Sequence, residues 1–200
     1  MMGDFQIMLD DSPFTRKPLP YETAQITKRL KASAPVDISR ETFRSKVEAG
    51  CTWVGGCYPQ GDLKDAFIGQ QVFAVDIDNQ GAGKRPLGVD EDGYLHPLEA
   101  IRRAISRDLS PMLLYFTFSA SLNPEWYRYR IVFDAGEPVN EDTAREVIKA
   151  LLSYYPEADQ SCKNSNRLFF GAKAGSAAID LWHPEEAMER RIRELTGRGR

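Results

Sequence analysis

The stretch QQVFAVDIDNQG, residues 70–81, joins an apolar run to two aspartates. Its alternation predicts a strand over residues 71–78, in which residues two apart share a face. The face that can turn to the core is apolar: Phe73, Val75 and Ile77. The opposite face ends in Asp76 and Asp78, whose Cα atoms would lie about 6.5 Å apart by the strand rise. Both carboxylates can lean toward one hard divalent cation; the alternative is a pair of exposed acids at the start of a loop.

Length and composition predict one domain spanning residues 1–200, with 42% hydrophobic and 28% charged residues. The net charge is −3, so a nucleic-acid partner would need a local basic surface. No apolar run reaches the roughly 18–20 residues of a membrane span, and the acidic N-terminus lacks the layout of a signal peptide. We therefore expect a cytoplasmic protein with no membrane partner.

The cysteines are few and badly spaced for a metal site. Cys51, Cys57 and Cys162 form no CxxC pair, and the chain has only two histidines. An odd, sparse set is typical of a reduced protein. Small buried thiols are therefore favoured over the alternative of a zinc site.

Capping residues and periodicity predict a mixed order of helices and strands. The predicted helices cover 22–32, 40–49, 96–108, 141–155 and 184–196, with Ser39 and Asn140 as N-caps and Gly50 as a stop. The predicted strands cover 51–56, 71–78, 111–119, 127–133, 167–171 and 177–182, and residues 1–20 are expected to be an irregular lead-in. This order predicts an α/β (α+β) class with a substantially antiparallel sheet.

The segment YRYRIVF, residues 127–133, places two arginines on one face of a predicted strand. Arg128 and Arg130 lie opposite the aromatic residues of the segment. Two guanidinium groups on a sheet face suit the phosphates of a nucleotide or nucleic acid beside a metal. The alternative is a solvent-facing edge whose arginines extend into water.

The segment EADQSCKNSNRLFFG, residues 157–171, supplies a third candidate carboxylate, Asp159, followed by a polar loop and Arg167. A third carboxylate would complete the smallest ligand set for two-metal phosphoryl or nucleotidyl transfer. The alternative is a turn residue that follows Pro156.

The order of these motifs resembles the archaeo-eukaryotic primase superfamily. VFAVDIDN, a helix, LLYFTFSASLNPEWYRYRIVF, a second helix and ADQSCKNSNRLFFG follow one another across about residues 40–180. The sequence looks most like the primase-polymerase domains of replication proteins from plasmids, phages and other mobile elements. The resemblance implies an RRM-like, mostly antiparallel sheet flanked by helices and joined to a second α/β unit. It also implies DNA template and primer, nucleoside triphosphates, and a helicase domain or protein as partners.

The resemblance also implies a set of metal ligands. The family's DxD or DxE motif falls on Asp76 and Asp78, and its hydrophobic-Asp motif falls on Ala158–Asp159. Ile179–Asp180 is a competing match. The three aspartates Asp76, Asp78 and Asp159 would thus be catalytic and would hold two Mg²⁺ or Mn²⁺ ions.

The sequence departs from the family at its Ser-x-His motif, whose histidine contacts the phosphates of the incoming nucleotide. Ser119-Ala120-Ser121 has no histidine. We assign the nucleotide-binding role to Arg130, with Ser119 nearby and Arg167 assisting, and DNA binding to Arg128 and Lys163. Arg130→Ala is then expected to raise the KM for nucleotide about tenfold or more, because the lost charged hydrogen bond contributes roughly 1.5–3 kcal/mol.

Two alternatives stay open. The missing histidine favours a non-catalytic replication-initiator or nucleic-acid-binding module that kept the fold. VFAVDID and MLLYFTFS resemble motifs of haloacid-dehalogenase-type phosphatases, although Asn79 replaces the usual Thr or Gly and no paired-acid motif follows.

Mutual repulsion of the two strand-end carboxylates also predicts that Asp76→Asn or Asp78→Asn leaves the fold intact and slightly stabilises the metal-free protein.

Overall fold

The computed structural model describes residues 4–107, 109–120, 126–173 and 175–181. Within these residues the chain is α+β, with two antiparallel sheets and four α-helices. The strands are β1 Phe5–Asp10, β2 Val36–Ile38, β3 Thr52–Val54, β4 Gly56–Cys57, β5 Gly69–Ile77, β6 Pro111–Phe116, β7 Tyr129–Val139 and β8 Ile179–Asp180. The helices are α1 Pro20–Ala32, α2 Arg40–Glu48, α3 Pro97–Ile105 and α4 Glu141–Tyr154.

The larger sheet has the strand order β4-β5-β7-β6-β8. The predicted strands at 71–78, 111–119 and 127–133 are confirmed as β5, β6 and β7. Strand β7 lies between the other two, so it pairs directly with β5. In this register Arg130 of β7 stands between Asp76 of β5 and Tyr115 of β6.

The two faces of the larger sheet pack against different layers. On one face, the predicted core residues Phe73, Val75 and Ile77 contact the apolar sides of α3 and α4. On the other face, Val72 and Tyr115 belong to a second cluster that includes residues of β1, α2 and β3. The predicted alternation is confirmed, and Asp76 follows the buried part of the second face.

The smaller sheet, β2-β1-β3, contradicts the prediction that residues 1–20 are irregular. Phe5–Asp10 is its central strand, with Phe5, Ile7 and Met8 buried. The strand is six residues long and buries two adjacent residues, so it lacks the clean period of two that identifies a strand in sequence. Helix α1 covers this sheet through Ile26 and Leu30.

The predicted helix boundaries have local chemical causes. The Ser39 hydroxyl accepts a hydrogen bond from the Thr42 amide at 3.2 Å, and the Asn140 side chain accepts one from the Thr143 amide at 3.0 Å. Gly50, just beyond α2, has φ +87°, and a Cβ there would meet the Phe14 carbonyl oxygen at 1.9 Å. Both N-caps and the glycine stop are confirmed.

Other predictions fare differently. Residues 167–171 contain one isolated bridge, between Phe169 and Trp53, and no strand, so the predicted strand there is wrong. Within the strand predicted at 177–182, residues Ile179–Asp180 form β8, and residue 182 and the helix predicted at 184–196 lie outside the described residues. All three cysteines are buried, as expected, and burial raises the pKa of the Cys57 thiol to about 11. Every helix in the described ranges is too short or too polar to span a membrane.

Candidate active site

A cleft of about 920 Å³ opens where β5 ends. It lies beside the start of α1, the chain after β6 and the loop after α4. Its walls carry all three candidate carboxylates and five basic side chains: Asp76, Asp78, Asp159, Lys17, Lys84, Arg128, Arg130 and Arg167. The excess of two positive charges suits a polyanionic ligand.

Asp159 reaches this cleft because the loop after α4 lies along the end of β5. Ala158 forms an antiparallel bridge with Ile77, and the Asp159 amide donates to the Asp76 carbonyl at 2.8 Å. Asp180 is in β8, separated from β5 by β6 and β7. Three strand spacings amount to about 14 Å. The structure therefore places Asp159, and not Asp180, beside Asp76.

Each carboxylate in the cleft forms an ion pair with an arginine. The pairs are Asp76 with Arg130 at 2.7 Å, Asp78 with Arg128 at 2.6 Å and Asp159 with Arg167 at 3.1 Å. The first two pairs join adjacent chain segments of the larger sheet, and the third forms within the loop after α4. The arginines thus balance negative charge that would otherwise be concentrated at the end of β5.

The carboxylates of Asp78 and Asp159 differ in how readily they ionise. Burial, followed by the negative charge of Asp76, raises the pKa of Asp78 despite the opposing effect of Arg128. Burial also works against ionisation of Asp159. Hydrogen bonds from the Ser161 amide and hydroxyl outweigh it, with help from Arg167, so the pKa of Asp159 is lowered. Asp159 is therefore the more firmly ionised of the two.

Arg130 is committed to contacts inside the protein. Its Nη2 donates to Asp76, while Nη1 donates to the Tyr115 hydroxyl and the Phe170 carbonyl, each at 2.7 Å. Its guanidinium carbon lies 4.7 Å from the centre of the Phe169 ring, and only 5% of the side chain is exposed. The contact of Arg130 with a triphosphate stays a prediction. In this structure the Arg130 guanidinium binds the Asp76 carboxylate and holds it in place.

Tyr115 connects this support to the smaller sheet. Its hydroxyl accepts hydrogen bonds from the Trp53 indole at 3.0 Å and from Arg130, and it donates to the Phe170 carbonyl at 3.1 Å. Trp53 is in β3 and fully buried. A continuous polar path therefore leads from the core of the smaller sheet to the Asp76 carboxylate.

Tyr115→Phe is expected to lower the free energy of unfolding by about 1–3 kcal/mol, because it leaves the buried Trp53 donor unsatisfied. Urea unfolding measures this loss. The matched control is Tyr155→Phe, since the Tyr155 hydroxyl makes a single hydrogen bond to the Ala100 carbonyl among the bonds described. A loss for Tyr115→Phe no larger than that of the control would contradict the role given to the hydroxyl.

The donor set of the cleft fits a hard divalent cation. Among the described residues, Oδ1 of Asp76 is a buried carboxylate oxygen with no hydrogen-bond partner. Both guanidinium contacts of Arg128 fall on Oδ1 of Asp78. The same residues include no ready-formed cluster of three His, Cys, Asp or Glu side chains, and each carboxylate instead engages an arginine. A bound cation would compete with these arginines for the carboxylates.

The other predicted site residues separate into two groups. Ser119, Arg128 and Arg167 line the cleft, and 37% of the Arg167 side chain is exposed. Lys163 instead borders a separate depression of about 410 Å³ beside α4, together with Lys149. Lys163 therefore does not line the cleft, and a DNA strand bound in the cleft would have to extend over the surface beside α4 to contact it.

Two residues that hold the chain next to Asp78 were not predicted from the sequence. Asn79 is buried with φ +45°, and its amide donates to the Leu95 and Tyr127 carbonyls at 3.1 and 2.8 Å. Trp126 donates to the Asp78 carbonyl at 3.1 Å. Together they hold the turn that follows Asp78. Asparagine tolerates positive φ better than most residues, so an asparagine directly after a strand could have predicted the tight turn here.

Lys17 and Thr23 were also missed, and no local signal identifies them. They precede and begin α1, far in sequence from the strands that carry the aspartates. Comparisons with protein-family models, with curated proteins and with solved structures found no match to this chain. The function of the cleft is therefore inferred from its own residues.

Proposed function

We propose that the chain is the catalytic domain of a DNA primase or primase-polymerase that serves a plasmid, phage or mobile element. The observation that carries this proposal is the convergence of Asp76, Asp78 and Asp159 on one basic cleft. Three carboxylates from two separate chain segments, set among guanidinium groups, suit template-directed nucleotidyl transfer.

The topology supports the same proposal. The order β5-α3-β6-β7-α4, with spatial order β5-β7-β6 and both helices on one face, is that of a split βαβ unit such as an RRM-like sheet. The smaller sheet with α1 and α2 would be the second unit. Strand β8, which follows α4, pairs with β6, whereas the last strand of an RRM-like sheet pairs with the first, so the match covers β5 to α4. We interpret the whole as a primase-like fold.

In the proposed reaction, the 3′-oxygen of a primer attacks the α-phosphate of a nucleoside triphosphate and pyrophosphate leaves. Bound Mg²⁺ or Mn²⁺ would supply charge neutralisation at the attacking and leaving oxygens. Asp76 and Asp78 would hold the ions, with Asp159 as the third ligand. Arg130 would keep the Asp76 carboxylate in place, as outer-shell partners of metal ligands do. Arg167 and Lys84 would balance the charge of the triphosphate.

A second candidate is a nucleic-acid-binding module without catalytic activity. The ion pairing of all three aspartates with arginines favours it, because the carboxylates then need no cation to be stable. The missing histidine at Ser119-Ala120-Ser121 favours it as well. In that case the three pairs would serve the fold alone.

The deciding experiment is extension of a labelled primer on a DNA template with Mn²⁺ or Mg²⁺. We expect incorporation of nucleotides that follow the template and that stop when a chelator is added. Asp180→Asn is the matched control for the active-site variant Asp78→Asn, and it should retain activity because Asp180 lies at the far edge of the sheet. DNA binding without incorporation would support the non-catalytic module. Hydrolysis of a small phosphate ester without template would support a phosphatase.

A further inference from the structure

The segment from residue 16 to the end of α1 is strongly basic in a chain whose net charge is −3. It contains five basic residues against one acid, Glu22. The structure separates these charges into two sets. Arg16 pairs with Glu22 and Arg29 pairs with Asp10, each at 2.7 Å. The remaining set is Lys17, Lys28 and Lys31, which are exposed and form no ion pair with another described residue.

Helix geometry places Lys28 and Lys31 on the outer side of α1. Ile26 and Leu30 are the residues of the helix that are buried. At 100° per residue, Tyr21 and Lys28 lie within about 20° of each other and opposite Leu30. Lys31 lies about 60° around the helix from Lys28. Tyr21, Lys28 and Lys31 therefore belong to one exposed surface, about 15 Å long by the helix rise.

Lys17, four residues before Tyr21, connects this surface to the cleft that holds the three aspartates. Thr23 also lines the cleft, but it lies about 160° around α1 from Tyr21, on the side of Leu30. The Tyr21 residue is 61% exposed. An exposed aromatic ring beside unpaired lysines is the combination that binds single-stranded nucleic acid, because bases stack on the ring and phosphates meet the charges.

The surface of α4 lacks this combination. Helix α4 carries three acids and two basic residues, and Arg145 pairs with Glu141 while Lys149 lies 3.9 Å from Glu146. Its exposed aromatic residue, Tyr154, is covered by the guanidinium of Arg107 at 5.4 Å. Charge complementarity with a polyanion therefore favours α1 over the neighbourhood of Lys163.

We infer that the outer surface of α1, formed by Tyr21, Lys28 and Lys31 and continued by Lys17, binds the single-stranded part of the nucleic acid next to the cleft. The identification of that strand as the template rests on the proposed function. The binding itself requires only the charges and the ring. The ring would contribute stacking and the lysines would contribute release of counterions.

The test measures binding of a fluorescent single-stranded DNA oligonucleotide by anisotropy across a salt series. Lys28→Gln/Lys31→Gln is expected to weaken binding about tenfold at low salt and to reduce the slope of log K against log salt by about 1.4. Tyr21→Ala is expected to weaken binding about tenfold through lost stacking while leaving the slope unchanged. The matched controls on α4 are Arg145→Gln/Lys149→Gln and Tyr154→Ala, which should leave both quantities near those of the unchanged protein.

The outcomes separate this inference from the proposed function. If the α1 variants bind the oligonucleotide normally while the unchanged chain extends primers, the inference is overturned and the proposed function stands. If the α1 variants bind weakly but the unchanged chain incorporates no nucleotide, the inference stands and the proposed function fails. A larger effect of the α4 controls would overturn the inference. So would binding of the unchanged chain to anionic lipid vesicles but not to the oligonucleotide.

Discussion

Asp78→Asn is expected to lower metal-dependent primer extension at least 100-fold without unfolding the protein. Loss of an outer-shell partner typically costs 10–100-fold in affinity or activity, and Asp78 is proposed as a direct ligand. The substitution keeps the shape of the side chain and removes its charge. Primer extension under saturating Mn²⁺ measures the first effect, and thermal unfolding in chelator measures the second.

The stability of Asp78→Asn follows from the environment of the carboxyl group. Because burial and Asp76 raise its pKa, ionisation of Asp78 opposes folding. The stability that this group contributes is present below the ordinary Asp pKa and is lost as pH rises through the raised pKa. At neutral pH the asparagine variant should therefore be as stable as the unchanged protein or slightly more stable, and any advantage should vanish in acid. A large loss of stability would show that the Asp78–Arg128 pair is structural.

Arg130→Met is expected to lower the free energy of unfolding by about 3–5 kcal/mol, the usual effect of removing one partner of a buried ion pair. Asp76, of which only 13% of the side chain is exposed, would lose its ion-pair partner, and the Tyr115 hydroxyl and the Phe170 carbonyl would lose a donor. Urea unfolding measures this change. Arg128→Met is the matched control and should cost less, because its partner Asp78 is more exposed at 27%.

A double variant separates the ion pair from the other contacts of Arg130. Asp76→Asn alone should also be destabilising, since it leaves the Arg130 guanidinium without its counter-charge. This reverses the expectation from sequence that Asp76→Asn would slightly stabilise the metal-free protein. Asp76→Asn/Arg130→Met should lose less than the sum of the single losses, because no uncompensated charge is left. Strict additivity would mean that the two side chains are not energetically coupled.

The effect of Arg130 on catalysis then needs a second measurement. If Arg130 contacts the triphosphate, Arg130→Ala raises the KM for nucleotide even at temperatures where the variant is fully folded. If Arg130 acts through Asp76, the same variant instead raises the Mn²⁺ concentration needed for half-maximal activity. Arg167→Ala, which affects a more exposed arginine of the cleft, should raise the KM for nucleotide in either case.

The sequence by itself determined the local features of this protein. Alternation along β5 and β7 correctly separated Phe73 and Val75 from Asp76, and placed Arg130 opposite Tyr129. Ser39 and Asn140 were identified as N-caps because a cap bonds to an amide three residues away. These interactions join near neighbours in the chain, so their signal is contained in a short window of sequence.

Only the tertiary structure decided which polar groups meet. The ion pair between Asp76 and Arg130 joins residues 54 positions apart, and it exists because β7 pairs with β5 in one particular register. The bridge between Ala158 and Ile77 likewise selects Asp159 over Asp180. Lys17 lines the same cleft although it belongs to a segment that carried no clear period. Strand order and register depend on how whole faces are buried against each other, and no short window of sequence contains that information.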